Sequence, residues 1–397
     1  MSERIPLHVL TGFLGSGKTT LLNRMLRDPA WADSAILVNE IGAISIDHDL
    51  IEQMESGDGI DIVVLKGGCT CCALRGDLVA ALRDLYARRA QGLLPLFARV
   101  VMETTGLADP APVIFTLAAD PALRHKFERG VIVTTFDAVH GLAQIQRHPE
   151  SSKQVAVADR IVLTKTDLDV AAPHAALLAT IKRLNPAAAI RNAQDASTPT
   201  ALLESDNLSR PFDESAYGFH KSKHDPSGSY NQDNLGYAAR SLAQAMTANQ
   251  ILADPTAEEA RDYRSSADAK NLGEGRLNLL QSVADERLVS AEHSTQIASV
   301  SITLDQPVEW SPFAVWLTML LHAHGEKLLR FKAFLDVAEW PNPVALDGIH
   351  HMIYPPRHIG AWPQGRRSSR LVFIGQGLAV DRIEPSLRAF LGGEYAA

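Results

Sequence analysis

Cysteine is nearly absent from this 397-residue sequence, which holds only three. All three fall within four positions, Cys69, Cys71 and Cys72. Thiols this close cannot build a disulfide framework. Clustered in an otherwise thiol-free chain, they suit a reducing compartment and metal or redox chemistry, so a cytoplasmic location is expected. Long apolar runs are also missing. None approaches the ~18 residues of a membrane span, and no association with a membrane is expected. The opening stretch MSERIPLHVLTGF has no apolar core with a cleavage site, so no secretory leader is read there. An excess of positive charge is missing too: Lys and Arg total 38 against 46 Asp and Glu, a net charge of −8. That balance argues against general nucleic-acid binding, which needs a positive field.

The remainder suits a globular protein, with 46% hydrophobic and 21% charged residues. The length predicts two domains of ~100–200 residues each. Short apolar runs read as strands at PLHVL, 35–39, 61–65, 99–103, 130–137 and 160–167, each ending in polar residues. Between them come helical periods. One places Leu21, Leu22, Met25 and Leu26 on a face. Another, read as starting after Gly76, aligns Leu78, Leu82, Leu85 and Tyr86. Near-continuous apolar strands alternating with helices predict an α/β fold, a mostly parallel sheet covered on both faces by helices. Ligands then sit beyond the carboxyl ends of the strands.

Residues 1–200 form the expected first domain. From 201 to 296 the sequence turns rich in Ser, Asp, Asn, Gly and Pro and reads as an insertion or linker, partly disordered. Residues 297–397 read as a small α+β domain. Its helix over 311–325 is expected to have Ser311 as N-cap and Pro312 at its first position. Strands are read at 298–304, 328–337, HHMIYPP and 369–375. On such a strand His350 and His351 would face opposite sides, as structural histidines.

The chemistry begins at VLTGFLGSGKTTLL. Gly12-x-x-x-x-Gly17-Lys18-Thr19 has the spacing of a P-loop, with an apolar strand before it and an amphipathic helix after. Backbone N–H groups from Gly12 through Gly15, Ser16, Gly17 and Thr20 would cradle phosphates at a helix N-terminus. Lys18 would reach the β- and γ-phosphates, and the Thr19 hydroxyl would bind Mg²⁺. The strand ending in Thr164-Lys165-Thr166-Asp167 carries the pattern of a guanine box. A buried Asp167 carboxylate would accept the two guanine donors that adenine lacks. Lys165 would lie along the base, and Thr164 replaces the commoner Asn. In VVMETTGLADP, Glu103 is placed to hold a Mg²⁺ water or orient the attacking water, and Gly106 to offer its N–H to the γ-phosphate. Glu40 and Asp47 follow the second strand, where a switch loop would lie, and are candidate metal ligands. They read equally well as solvated loop acids.

Cys69, Cys71 and Cys72 follow Gly67 and Gly68 in a stretch read as one tight turn. Three thiolates make a soft donor set that suits Zn²⁺ or Cu(I), and leave a fourth position open. Lys66 and a nearby helix N-terminus would favour the thiolate form. Buried cysteines or a redox dithiol are the other readings.

Taken in order, Gly12–Thr19, Val38–Gly42, Gly68–Cys72, Glu103–Pro110 and Thr164–Asp167 resemble the CobW-like family of P-loop metal-handling GTPases. LNPAAAI (184–190) and the segments 328–337, 348–362 and 366–378 are similar to later parts of that family. The resemblance implies hydrolysis of GTP with Mg²⁺, coupled to delivery of Zn²⁺, or Co²⁺, to a metal-dependent client protein, by a monomer or homodimer. Lys18, Thr19 and Glu103 would be the catalytic residues. Two features depart from the family. The central region has only scattered His220, His224 and His293 in place of a His-rich tract, and Lys332-Ala333 stands for the usual Lys-Gly. Two rival functions remain: a nucleotide-gated regulator with a structural or redox thiol site, and an ATP-dependent small-molecule kinase.

Overall fold

The computed structural model of the chain describes residues 4–39, 62–65, 71–168, 174–195, 197–203, 296–360, 362 and 367–392. Glu40, Asp47 and Cys69 lie outside the described residues, as does nearly all of the segment 201–296. Two compact units divide the chain, Met1–Asp206 and Asn207–Ala397.

In the first unit, IPLHVLTG forms strand β1 (Ile5–Gly12), and the phosphate-loop sequence leads into helix α1 (Lys18–Leu26). Then come β2 (Ser34–Asn39), β3 (Ile62–Leu65), α2 (Cys71–Ala90), β4 (Arg99–Glu103), α3 (Ala111–Ala119) and β5 (Phe127–Asp137). The unit continues with α4 (Gly141–Arg147), α5 (Pro149–Val157), β6 (Arg160–Thr164), α6 (His174–Leu184), β7 (Ala189–Asn192) and α7 (Thr198–Leu203). The sheet has seven strands in the order β3-β2-β4-β1-β5-β6-β7. Every pairing in it is parallel. β1 is central because Leu7, Val9 and Leu10, buried on both faces, carry no polar group that would need water. Leu21, Leu22, Met25 and Leu26 of α1 pack on Leu10, Ile36, Val38, Val101 and Val133. Since all strands run one way, the ends of β1, β4, β5 and β6 share one edge, and the motif residues gather there.

Two expectations change here. The helix read as starting after Gly76 starts at Cys71, so Gly76 lies inside α2. A single mid-helix Gly costs only about 1 kcal/mol, which the buried stripe Leu78, Leu82 and Leu85 offsets. Cys71 and Cys72 therefore open a helix, where a tight turn was read. The strand read over 160–167 stops at Thr164, because Lys165 takes a left-handed backbone, φ 58°.

The second unit is an antiparallel sheet with helices on it. β8 (Ile297–Leu304), α8 (Trp310–His324), β9 (Leu328–Leu335), β10 (Val344–Ile349), β11 (Met352–Ile353), β12 (Arg357–His358), β13 (Ser369–Gln376) and α9 (Ile383–Leu391) follow in order. Strands are arranged β11-β10-β9-β13-β8, with β12 also on β10. Trp310, Phe313, Trp316 and Leu320 of α8 and Leu387 and Phe390 of α9 share one core with Phe331 and Phe373 of the sheet. The N-cap of α8 is Glu309 and not Ser311, which puts Pro312 at the third position. Pro is tolerated throughout the first turn, where N–H groups have no intrahelical partner. His350 and His351 do not lie on a strand; they make the turn between β10 and β11, with His350 at φ 51°. Among the described residues, no helix is long and apolar enough to cross a membrane.

Candidate functional site

The phosphate loop is held by its own strand neighbours. Gly12 sits at φ 142° and packs so tightly that a Cβ would meet the Thr135 hydroxyl and carbonyl and the Ser16 hydroxyl. Only glycine fits that space and that conformation. The Ser16 and Thr135 hydroxyls share a hydrogen bond of 2.6 Å, and Thr135 Oγ1 donates to the Thr11 carbonyl at 3.3 Å. Ser16 N–H donates to Phe13 O, closing the loop. Gly15 and Gly17 also have positive φ, and Gly17 precedes the first turn of α1. Thr20 follows in that turn. Lys18 Nζ bridges back across the loop to the carbonyls of Gly12 at 3.0 Å and Phe13 at 3.2 Å. The loop is thus cinched around its own ammonium group.

Thr19 and Glu103 come together from sequence positions 84 apart. Thr19 Oγ1 donates to Glu103 Oε1 at 2.9 Å, at the joined ends of α1 and β4. The next residue, Thr104, donates its N–H to Leu10 O and its hydroxyl to Thr11 Oγ1. Gly106 lies against the phosphate loop: a Cβ there would come within 2.8 Å of the Leu14 backbone. The loop from Thr104 to Pro110 is therefore in direct contact with the phosphate loop. Gln154 of α5 also holds it, through a buried amide that donates to Gly106 O at 3.2 Å and Ala108 O at 2.9 Å.

At the far side of the same edge, Thr164 Oγ1 donates to Ser16 O at 2.7 Å, which ties the TKTD turn to the phosphate loop. Lys165 Nζ meets Asp137 Oδ2 at 2.7 Å. Asp137 closes β5 and is buried. Burial by itself would raise its carboxyl. Hydrogen bonds from Lys165 and from the backbone N–H groups of His140 and Val139 outweigh that, and hold it below the usual carboxylate range. Asp167 is exposed, not buried as read from the sequence, because it lies in a turn beyond the strand end. Gln194 Nε2 donates to its Oδ1 at 2.8 Å, and Thr166 donates to Asn192 at 2.9 Å.

Reading the sequence missed Thr135, Asp137, Gln154, Asn192 and Gln194. The polar closure of GVIVTTFD was a visible signal for the first two. The other three sit in polar stretches with no pattern to single them out. For the thiols, the structure describes only the backbone of Cys71 and Cys72, in the first turn of α2.

This edge defines a class: a P-loop nucleotide-binding domain, with a hydroxyl–carboxylate pair beside the phosphate loop and a lysine–carboxylate pair at the TKTD turn. Residues 6–192 match the CobW/HypB/UreG nucleotide-binding domain, and residues 297–391 match the cobalamin synthesis protein CobW C-terminal domain. The chain belongs to the CobW-like family that joins these two domains. It is 28% identical over 380 residues to the zinc chaperone YjiA of Escherichia coli, covering 96% of each chain. It is 31% identical over 221 residues to the zinc-regulated GTPase metalloprotein activator 1 of Schizosaccharomyces pombe, spanning 54% of this chain and 50% of that one. The fold is also that of the Zn(II)-bound YjiA GTPase from E. coli, with a TM-score of 0.61 at 24% identity, covering 98% and 100% of the two chains.

Proposed function

We propose that the protein is a GTP-hydrolysing metallochaperone that loads Zn²⁺ on Cys69, Cys71 and Cys72 and passes it to a client protein. One observation carries this reading. β3 ends at Leu65, on the same edge of the parallel sheet where β1 ends at Gly12, which supports nucleotide and cargo sharing one edge of one sheet. β3 lies three positions from β1, about 14 Å at ~4.8 Å per strand. Relatives described as zinc chaperones and as a zinc-regulated GTPase support the same reading.

GTP would enter with its phosphates over residues 12–20, where Lys18 exchanges the carbonyls of Gly12 and Phe13 for phosphate oxygens. A hydroxyl and a carboxylate oxygen are hard donors that fit Mg²⁺, and Thr19 and Glu103 would hold it. When bound, that ion would neutralise the charge on the β- and γ-phosphates. Glu103 would also fix the attacking water, and Gly106 would offer its N–H to the γ-phosphate. Lys165, anchored by Asp137, and Asp167, turned by Gln194, would select guanine. A reducing cytoplasm would keep the cysteine thiols free for metal. Loss of the γ-phosphate would release the loop after Glu103 and, with it, the cargo.

The test is the hydrolysis of GTP against ATP by the purified protein and by Asp167→Ala. The wild type should prefer GTP by about 10²-fold or more, and the variant should lose that preference. Equal rates with both nucleotides in the wild type would favour the kinase-like alternative.

A further inference from the structure

We infer that Gln154 is a positioning residue for hydrolysis: it pins the loop that carries Gly106 to a helix anchored at both ends. The inference rests on the proposed GTPase reading and extends it to a residue outside every nucleotide motif.

The amide of Gln154 is buried, and its orientation is dictated by its surroundings. Two carbonyl oxygens, Gly106 O and Ala108 O, face the same atom, so that atom is the NH₂ group. Both donors are spent on one short loop. Oε1 accepts no hydrogen bond from the described residues. A buried acceptor left without a donor is a net cost, which an apolar side chain of similar shape would avoid. Packing alone therefore does not account for an amide here.

The helix beneath Gln154 is well placed to serve as a fixed point. At its start His148 stacks on Phe13 of the phosphate loop, with ring centroids 4.6 Å apart. At its end Asn185 Nδ2 reaches the carbonyls of Val155, Ala156 and Ala158 at 2.8–3.0 Å. One helix thus touches the phosphate loop through His148 and the Gly106 loop through Gln154. Gly106 itself sits against Leu14 with no room for a Cβ. The Gly106 loop is therefore held by its close approach to Leu14 and by the two hydrogen bonds of Gln154, and the Gln154 side chain can be changed without touching the phosphate loop. Misplacing a transition-state donor by about 1 Å costs ~10²-fold in rate. Binding of GDP, which has no γ-phosphate, does not draw on that N–H.

The experiment measures GTP hydrolysis, GDP affinity and melting temperature for wild type and Gln154→Met. Gln154→Glu serves as a second variant of the same length. The expected result is a fall in kcat of about 10²-fold, with GDP affinity and melting temperature unchanged. In Gln154→Glu the protonated acid keeps one donor, so kcat should fall as pH rises through its ionisation, a dependence absent from wild type. Active wild type with equally active variants overturns the role of Gln154 alone. So does a parallel loss of kcat, GDP affinity and melting temperature, which marks a merely structural residue. A wild type that hydrolyses no GTP overturns the functional reading itself.

Discussion

His8 shows how one buried side chain makes stability depend on pH. It lies in β1, and the backbone N–H of Val131 donates to its Nδ1 at 3.1 Å. Burial is the largest cause that lowers its pKa to about 4; the Arg99 and Arg160 charges add to it, and Asp159 opposes them. The imidazole is neutral in the folded protein at pH 7 and would protonate near 6.5 once unfolded. Between those values the unfolded chain binds the extra proton. Stability should therefore fall as pH drops from about 6.5 to 4, by roughly 3 kcal/mol in all. Denaturant unfolding of wild type and His8→Gln across that range checks it: the slope should shrink in the variant. At this same scale Thr19 and Glu103 were legible because the P-loop spacing and the acid closing an apolar strand are local patterns. Asp137 and Gln194 were not legible as partners. Each acts on a residue 28 or 27 positions away, and only the parallel sheet brings them together.

Helix α2 is where element-level reading failed and where a substitution tests the reason. Two glycines, three cysteines and Gly76 looked like a turn, and hydrophobic periodicity takes hold only at Leu78. The helix nevertheless runs from Cys71, since one helical glycine is tolerable when the following stripe is buried. Gly76 has open space where a Cβ would go. Gly76→Ala should then stabilise the protein by about 0.5–1 kcal/mol. Thermal unfolding should show a rise of roughly 1–4 °C for a domain of this size. A fall would mean that Gly76 serves as a breaker after all. The β10–β11 hairpin failed for a related reason. HHMIYPP has strand-like composition, but β11 spans only Met352–Ile353, and the two histidines before it make the turn. The parallel sheet was legible because five- to eight-residue apolar runs buried on both faces leave little else to form.

At the scale of the whole molecule, the two units have separate cores and separate sheets. The first carries the phosphate-loop motif, in a stretch that matches a nucleotide-binding domain, and the cysteine motif. Delivery of a metal needs more than a site that binds it. The nucleotide state must change the affinity of the thiols, and a useful bias of 10- to 100-fold corresponds to ~1.4–2.7 kcal/mol of coupling. Such coupling is reciprocal, so Zn²⁺ should raise the affinity for one nucleotide state by the same factor. The Glu103 loop follows β4 and the cysteine segment follows β3, with β2 between them in one sheet.

The most direct test loads the full-length protein with Zn²⁺ and follows transfer to a chromogenic chelator of matched affinity. The assay is run with GTP·Mg²⁺, with a non-hydrolysable GTP analogue, and with GDP. The account predicts slow transfer with the analogue, fast transfer once GTP is hydrolysed, and no stoichiometric Zn²⁺ in a Cys69→Ser, Cys71→Ser, Cys72→Ser triple variant. Zn²⁺ that stays bound through GTP turnover, or that binds the triple variant equally well, would contradict it.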